Sequence, residues 1–322
     1  MLPKFAYSRP MSVEETVVQL TNGSVIHAGG TDLLGCLRDG VFTAEKLVSI
    51  QALNELRGVR VLNDGLRIGA LTTLSEVAEH PLIRERYAAL AQSAGAAASP
   101  QLRNQGTIGG NLCQRPRCWY FRGDFHCLRK GGDTCYAVNG ENEFHCILGG
   151  SGCYIVHPSD TAPALIALEA QAHIVGPKSK RTISLHSFFV LPSQDVTREN
   201  VLRPGEIVTE IILPSLPRDV RSSYRKVRAR GAWDFALSGA ALALRLSNDR
   251  VVEWARVVLA GVAPIPWRAL DAERALIGRR LEVTVIAEAA AACVKGAEPL
   301  SQNAYKIDLV QSVVEESLLA MA

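Results

Sequence analysis

At 322 residues, with 48% hydrophobic and 21% charged side chains, the chain is long for one domain and can bury the cores of two or three. A net charge of +3 argues against a dedicated nucleic-acid binder, whose phosphate contacts need a dense basic face. No run approaches the ~18–20 apolar residues of a membrane span, and the N-terminal "MLPKFAYSRP" lacks the apolar stretch of a secretory signal, so the sequence itself predicts a cytoplasmic protein.

In chain order, "MSVEETVVQL" (11–20) predicts a helix, with Ser12 and Glu15 at capping-box spacing. "SVIHAGG" (24–30) predicts a short strand running into a double glycine, and "TDLLGCLRDG" (31–40) a helix turn ending at Gly40. "KLVSI" (46–50) and "GLRIGAL" (65–71) read as strands, and "RERYAALAQSAGAAA" (84–98) as one alanine-rich helix. After "TIGGNLC" a cysteine-rich segment interrupts the pattern. Regular structure resumes over 153–177, strand-like at first, then a helix entered past Pro163, then a strand. "RTISLHSFFV" and "GEIVTEIILP" add β character, and "PSLPRD" (214–219) predicts a domain boundary. Beyond it, two apolar strand-like segments and helices near 282–296 and 305–321 predict a second, α+β domain of about 100 residues.

Two glycine turns are candidate ligand sites. In "HAGGTDLL" (27–34) a strand ends in Gly-Gly before a helix start, which exposes backbone N–H groups to an anion, although such a turn also occurs with no ligand. "TIGGNL" (107–112) is a second one, and a dinucleotide has two ends to hold. Neither has the spacing of a Rossmann or Walker loop. Asp160, in "HPSDTAPAL", reads either as a helix cap or as a partner for a ribose hydroxyl or a flavin edge. The basic run "YRKVRARGAW" (224–233) reads equally as a solvated strand edge or a ligand-facing strand.

The sharpest signal is residues 113–153, which hold six of the eight cysteines, with spacers of four, eight, seven, ten and six. Structural zinc sites favour paired C-x2–4-C knuckles; only Cys113 and Cys118, with four residues between them, reach that range, and no second pair does. A reducing compartment disfavours disulfides, and the segment is too polar to be core. Four thiolates converging from a glycine-punctuated loop suit a [4Fe–4S] cluster, although spacing alone leaves open which four of the six. His126 and His145 flank cysteines, but the seven histidines show no ligand spacing. The chain also lacks H-E-x-x-H, G-x-S-x-G, kinase and P-loop motifs. Redox-cofactor loops without an acid–base or nucleophile constellation point to an electron carrier within a larger enzyme.

Taken in order, "AGGTDLL", "QLRNQGTIGGNL", "HPSDTAPAL", "GEIVTEIILP" and "YRKVRAR" resemble the FAD-binding medium subunit of molybdenum hydroxylases, the xanthine dehydrogenase and aldehyde oxidase family. The resemblance runs nearly end to end. It implies an α+β fold: a two-part FAD-binding domain of the vanillyl-alcohol-oxidase/PCMH type over 1–216, then an α+β C-terminal flavoprotein domain over 217–322. It also implies that FAD pyrophosphate lies on Ile26, His27, Ala28, Gly29, Gly30, Thr31, Asp32 and Leu33. Thr107, Ile108, Gly109, Gly110 and Asn111 would hold the other phosphate side. Asp160 would bond the ribityl or ribose region, with Val208 and Lys226 near the adenine or the isoalloxazine edge.

The insertion at about 113–153 resembles the extra [4Fe–4S] loop of two branches, the bacterial three-subunit aldehyde oxidoreductases and 4-hydroxybenzoyl-CoA reductase. The carry-over selects Cys118, Cys127, Cys135 and Cys153 and leaves Cys113 and Cys146 over. It further implies a large molybdopterin-binding partner, a small partner with two [2Fe–2S] clusters, and an external electron acceptor. The wording of the insertion favours the aldehyde branch. The competing expectations are the hydroxybenzoyl-CoA reductase branch, a zinc-loop binding module without flavin, and a peroxide- or oxygen-reducing flavoenzyme acting alone. Some relatives reach the periplasm on a partner's signal, which leaves co-export open for this chain.

Overall fold

The computed structural model describes residues 2–62 and 65–322. Near the N-terminus, strands Ala6–Ser8, Lys46–Ser49 and Ser24–His27 form a parallel sheet with Lys46–Ser49 in the centre. The expected first helix spans Val13–Gln19. Ser12 Oγ accepts the Glu15 N–H, but Glu15 reaches the N–H of Met11 rather than that of Ser12, so the capping box closes one residue early.

A five-stranded antiparallel sheet follows, ordered Val59–Leu62, Gly65–Gly69, Ile207–Leu213, Gln171–Val175, Lys180–Ser184. The central strand Ile207–Leu213 comes from after the cysteine segment, so this sheet joins the two halves of the first domain. The helix expected over 84–98 is two, Pro81–Arg86 and Ala88–Ala96. The break falls at Tyr87, whose fully buried ring sends its hydroxyl to Pro214 O at 2.8 Å. Residues 153–160 form no strand, and the helix there, Thr161–Ala167, begins before Pro163. Proline is tolerated in a first helical turn, where its missing N–H would have no intrahelical partner.

Past residue 220 an antiparallel sheet runs Trp267–Arg268, Val252–Ala260, Ser238–Leu246, Arg221–Val227. Side chains alternate across a strand, and here both faces are buried. Ala240, Leu242 and Leu244 enter a core with the helices Leu270–Leu276, Val283–Cys293 and Tyr305–Leu319. Ala241 and Ala243 enter the core of the first domain, against helices Ala88–Ala96 and Thr161–Ala167. The second domain therefore presses its sheet against the first.

The cysteine segment is mostly irregular, with short turns of helix at Trp119–Arg122 and Leu128–Lys130. It is fastened to the second domain. The N–H groups of Ile147 and Leu148 reach Val262 O, Asn303 donates to the carbonyls of His145 and Cys146, and Lys306 Nζ bridges Phe144 O and Gly261 O. Among the described residues no helix is long and apolar enough to cross a membrane.

Candidate functional site: a glycine-turn cleft and a thiol-lined cavity

The two glycine turns meet. A side chain at Gly29 would place its Cβ 2.0 Å from Gln105 O, so only glycine lets the first turn lie against the backbone leading into the second. Gly30 takes φ +74°, which turns the chain into helix Leu33–Arg38. In the second turn Thr107 Oγ1 caps helix Ile108–Leu112 by accepting the Gly110 N–H, and Gly109 lies flat on Ala70.

Both turns face a cleft of about 800 Å³. Ile26, Ala28 to Leu33, Thr107, Gly109 to Asn111, Asp160 and Val208 are on its wall. His27, Ile108 and Lys226 are not among the residues that line it. The His27 ring packs beside Gly30, with Nδ1 3.4 Å from Ser49 Oγ, and Ile108 is fully buried in the first core. Lys226 Nζ reaches Asp160 Oδ2 at 2.8 Å from behind, while Tyr224 donates to Oδ1 at 2.7 Å. The strand 221–227 is thus a sheet edge by topology, yet its lysine points inward. Asp160 stands at the N-cap position of helix Thr161–Ala167, but its side chain makes no capping bond; Ser159 Oγ accepts the Ala162 N–H instead. Burial pushes the Asp160 carboxyl up, and the Lys226 ammonium and Tyr224 hydroxyl pull it back toward the ionised form.

Asp32 is the least expected member. Its carboxylate accepts the Arg115 N–H at 2.7 Å and pairs with the guanidinium groups of Arg117 and Arg122. Burial pushes this carboxyl up, but the two guanidiniums and the Arg115 N–H outweigh it and hold it below its usual range. An acid beside a phosphate cradle would repel the ligand; here the cysteine segment neutralises it.

Cys118, Cys127, Cys135 and Cys153 come together on the wall of one small cavity, together with Arg129 and His145. The Cys118 thiol is pushed up to about 12 by burial, while the backbone N–H groups of Phe121 and Tyr120 favour its thiolate; the Ile155 N–H does the same for Cys153. His145 Nε2 lies 3.3 Å from Cys118 Sγ. The donor set, four thiols with backbone N–H groups aimed at two of them, fits an iron–sulfur cluster. Among the described residues no three Cys, His, Asp or Glu side chains converge as ligands of a single ion. Cys113 lies on the wall of the glycine-turn cleft, and Cys146 is buried beside Gly150, within the influence of the Lys306 charge.

Between cleft and thiol cavity lies another cavity, of about 240 Å³. It shares Arg117, Pro158, Asp160, Asp234 and Phe235 with the cleft, and Cys118 and His145 with the thiol cavity. The three spaces run in series. Sequence reasoning missed the arginines of this region, Arg115, Arg117, Arg122 and Arg129. The signal was present: four arginines among the cysteines of a nearly neutral chain.

The sequence profile of the FAD binding domain in molybdopterin dehydrogenase matches residues 3–216. The chain belongs to the FAD-binding medium subunits of the molybdenum hydroxylases. The profile of the CO dehydrogenase flavoprotein C-terminal domain matches residues 222–321. Aldehyde oxidoreductase FAD-binding subunit PaoB of Escherichia coli K12 is 35% identical, over 99% of this chain and 98% of its own length. The carbon monoxide dehydrogenase medium chain of Hydrogenophaga pseudoflava is 29% identical, over 99% and 97%. The solved structure of carbon monoxide dehydrogenase from that organism superposes with a TM-score of 0.79, at 28% identity over 99% of this chain and 98% of its own. This medium subunit is therefore an FAD-binding oxidoreductase subunit, with the mixed helix-and-sheet fold expected of it.

Proposed function

We propose that this medium subunit carries FAD and a [4Fe–4S] cluster in a molybdenum-containing aldehyde-oxidising complex. In this reading it takes electrons that originate at a large molybdopterin-binding partner, through a small partner with two [2Fe–2S] clusters, and passes them to an external acceptor. The substrate site lies on the large partner. The observation that carries the cluster is the convergence of Cys118, Cys127, Cys135 and Cys153 on one cavity, in series with the cleft between the glycine turns. The aldehyde assignment is supported by the 35% identity to an aldehyde oxidoreductase subunit.

When bound, FAD supplies a carrier that is loaded with single electrons and discharged by one or two, and the cluster supplies a one-electron carrier. The protein's share is binding, orientation and electrostatics. Backbone N–H groups of Ala28 to Leu33 and Thr107 to Asn111 hold the pyrophosphate, with Ile26 and Val208 as apolar walls. Ile108 and His27 brace the two turns from behind. Asp160, fixed by Lys226 and Tyr224, presents a carboxylate to the ribityl or ring region. Residues 1–216 form the FAD-binding domain, interrupted at about 113–153 by the cluster-bearing segment, and 217–322 form the C-terminal domain. The compartment is the cytoplasm, unless a signal-bearing partner carries the complex out.

The test is the purified complex, assayed for flavin, iron, acid-labile sulfide and zinc. The reading expects flavin at one per medium subunit, and iron and sulfide exceeding the small subunit's share by about four each. Zinc without excess sulfide would replace the cluster by a zinc loop.

A further inference from the structure

One charged group in the thiol cavity has no role in holding either cofactor. Arg129 sits two residues past Cys127 on the single turn Leu128–Lys130, which closes at Gly131 with φ +90°. Its side chain is 1% exposed. Nη1 donates to Glu199 Oε1 at 2.8 Å and to Arg198 O at 3.3 Å. Among the described residues Nε and Nη2 are buried and have no partner. A guanidinium cannot shed its charge, and buried donors without acceptors are costly. Arg129 lines the same cavity as all four selected cysteines.

The counter-charge is shared. Glu199 is 6% exposed, and its second oxygen lies 2.9 Å from Arg115 Nε. Arg115 in turn stands over the Phe121 ring and lines the glycine-turn cleft. One buried carboxylate thus lies between a cation at the thiol cavity and a cation at the cleft.

We propose that Arg129 sets the reduction potential of the cluster held by Cys118, Cys127, Cys135 and Cys153, and that Glu199 holds it in place and tempers it. The inference rests on the cluster assignment above. Taking up one electron, from the small partner's [2Fe–2S] centres or from dithionite in a titration, adds one negative charge to the thiolate-bound centre. No bond forms or breaks in the protein. A fixed buried cation favours that more negative state, and donors to sulfur do the same, so Arg129 raises the potential. Once a cluster is seated, its thiolate and sulfide sulfurs would offer acceptors to the unpartnered N–H groups of Arg129 on the same cavity wall. Arg129 is a positioning and tuning residue and has no part in the oxidation of substrate.

The experiment is an EPR-monitored dithionite titration of the holo-complex, comparing wild type with Arg129→Gln, Arg129→Lys and Glu199→Gln. Arg129→Gln should lower the reduced-to-oxidised ratio of the cluster at fixed potential by at least about tenfold, a shift of about 59 mV for one electron. Glu199→Gln should shift it the opposite way, and Arg129→Lys should stay nearer wild type than Arg129→Gln. Midpoints unchanged in Arg129→Gln and Glu199→Gln, or moving in the same direction, overturn the inference and leave the cluster in place. If Arg129→Gln fails to assemble, Glu199→Gln decides alone: a rise supports the inference and no change overturns it. A wild-type complex with no [4Fe–4S] signal overturns the cluster assignment and the inference with it.

Discussion

Lys226 Nζ donates to Asp160 Oδ2 at 2.8 Å across the joint between the two domains, with side chains only 3% and 7% exposed. Tyr224, on the same strand, holds the other carboxylate oxygen, and Lys226 and Arg228 both reach Ala96 O at 3.3 Å. The pair fixes a cleft-wall carboxylate and ties the second domain's edge strand to the first domain. Breaking a buried pair from one side leaves an uncompensated charge, which costs about 3–5 kcal/mol. Lys226→Met should therefore lower the denaturant midpoint strongly, and Lys226→Met with Asp160→Leu should lower it less than the two single effects summed.

Gly29 has no room for a methyl group, because Gln105 O is 2.0 Å from where the Cβ would be. Gly29→Ala should push the glycine turns apart and weaken FAD retention by at least about tenfold, 1.4 kcal/mol. Flavin released on gel filtration, set beside an unchanged far-ultraviolet dichroism spectrum, measures this.

The two spare cysteines separate from the four on the cavity wall. Cys146→Ala should keep the iron and sulfide content of wild type, whereas Cys135→Ala should lose the cluster. Cys113→Ala should keep the cluster too, since Cys113 lies on the wall of the cleft. Iron and acid-labile sulfide assays on the complexes read all three.

His157 is 4% exposed, its ring edge-on to Phe189 at 4.6 Å, and burial drives its pKa down to about 3 from the usual 6.5. The folded state then holds it neutral where the unfolded chain would protonate it. Its stability contribution is complete above pH 6.5 and falls as the pH drops toward 3, by about 1.4 kcal/mol per unit for one proton. His157→Phe should flatten this part of the stability–pH curve, read from denaturant midpoints between pH 7 and pH 5.

Much of this arrangement was legible in the sequence, because the signals were local. Gly-Gly before a helix start names a turn, and the β-branched run in 207–213 names a strand. Six cysteines in one polar segment name a site. What stayed hidden was long-range. Nothing in "YRKVRAR" says that its lysine turns inward to Asp160, because that pairing belongs to a sheet docked across a domain joint. Tyr87 cuts an alanine-rich run that propensity would make one helix, and it does so for a hydrogen bond 127 residues away. Asp32 looked like a phosphate-loop residue; its two arginine partners are 85 and 90 positions later.

The cysteine segment also acts as a strap. At one end Arg117 and Arg122 grip Asp32 in the first domain, and Arg129 grips Glu199. At the other, Asn142 exchanges hydrogen bonds with Gln302, and Lys306 and Asn303 hold the carbonyls of Phe144, His145 and Cys146. The four cavity cysteines span these two ends. If this cavity holds the proposed cluster, losing it would slacken the tether between the lobes as well as silence an electron carrier.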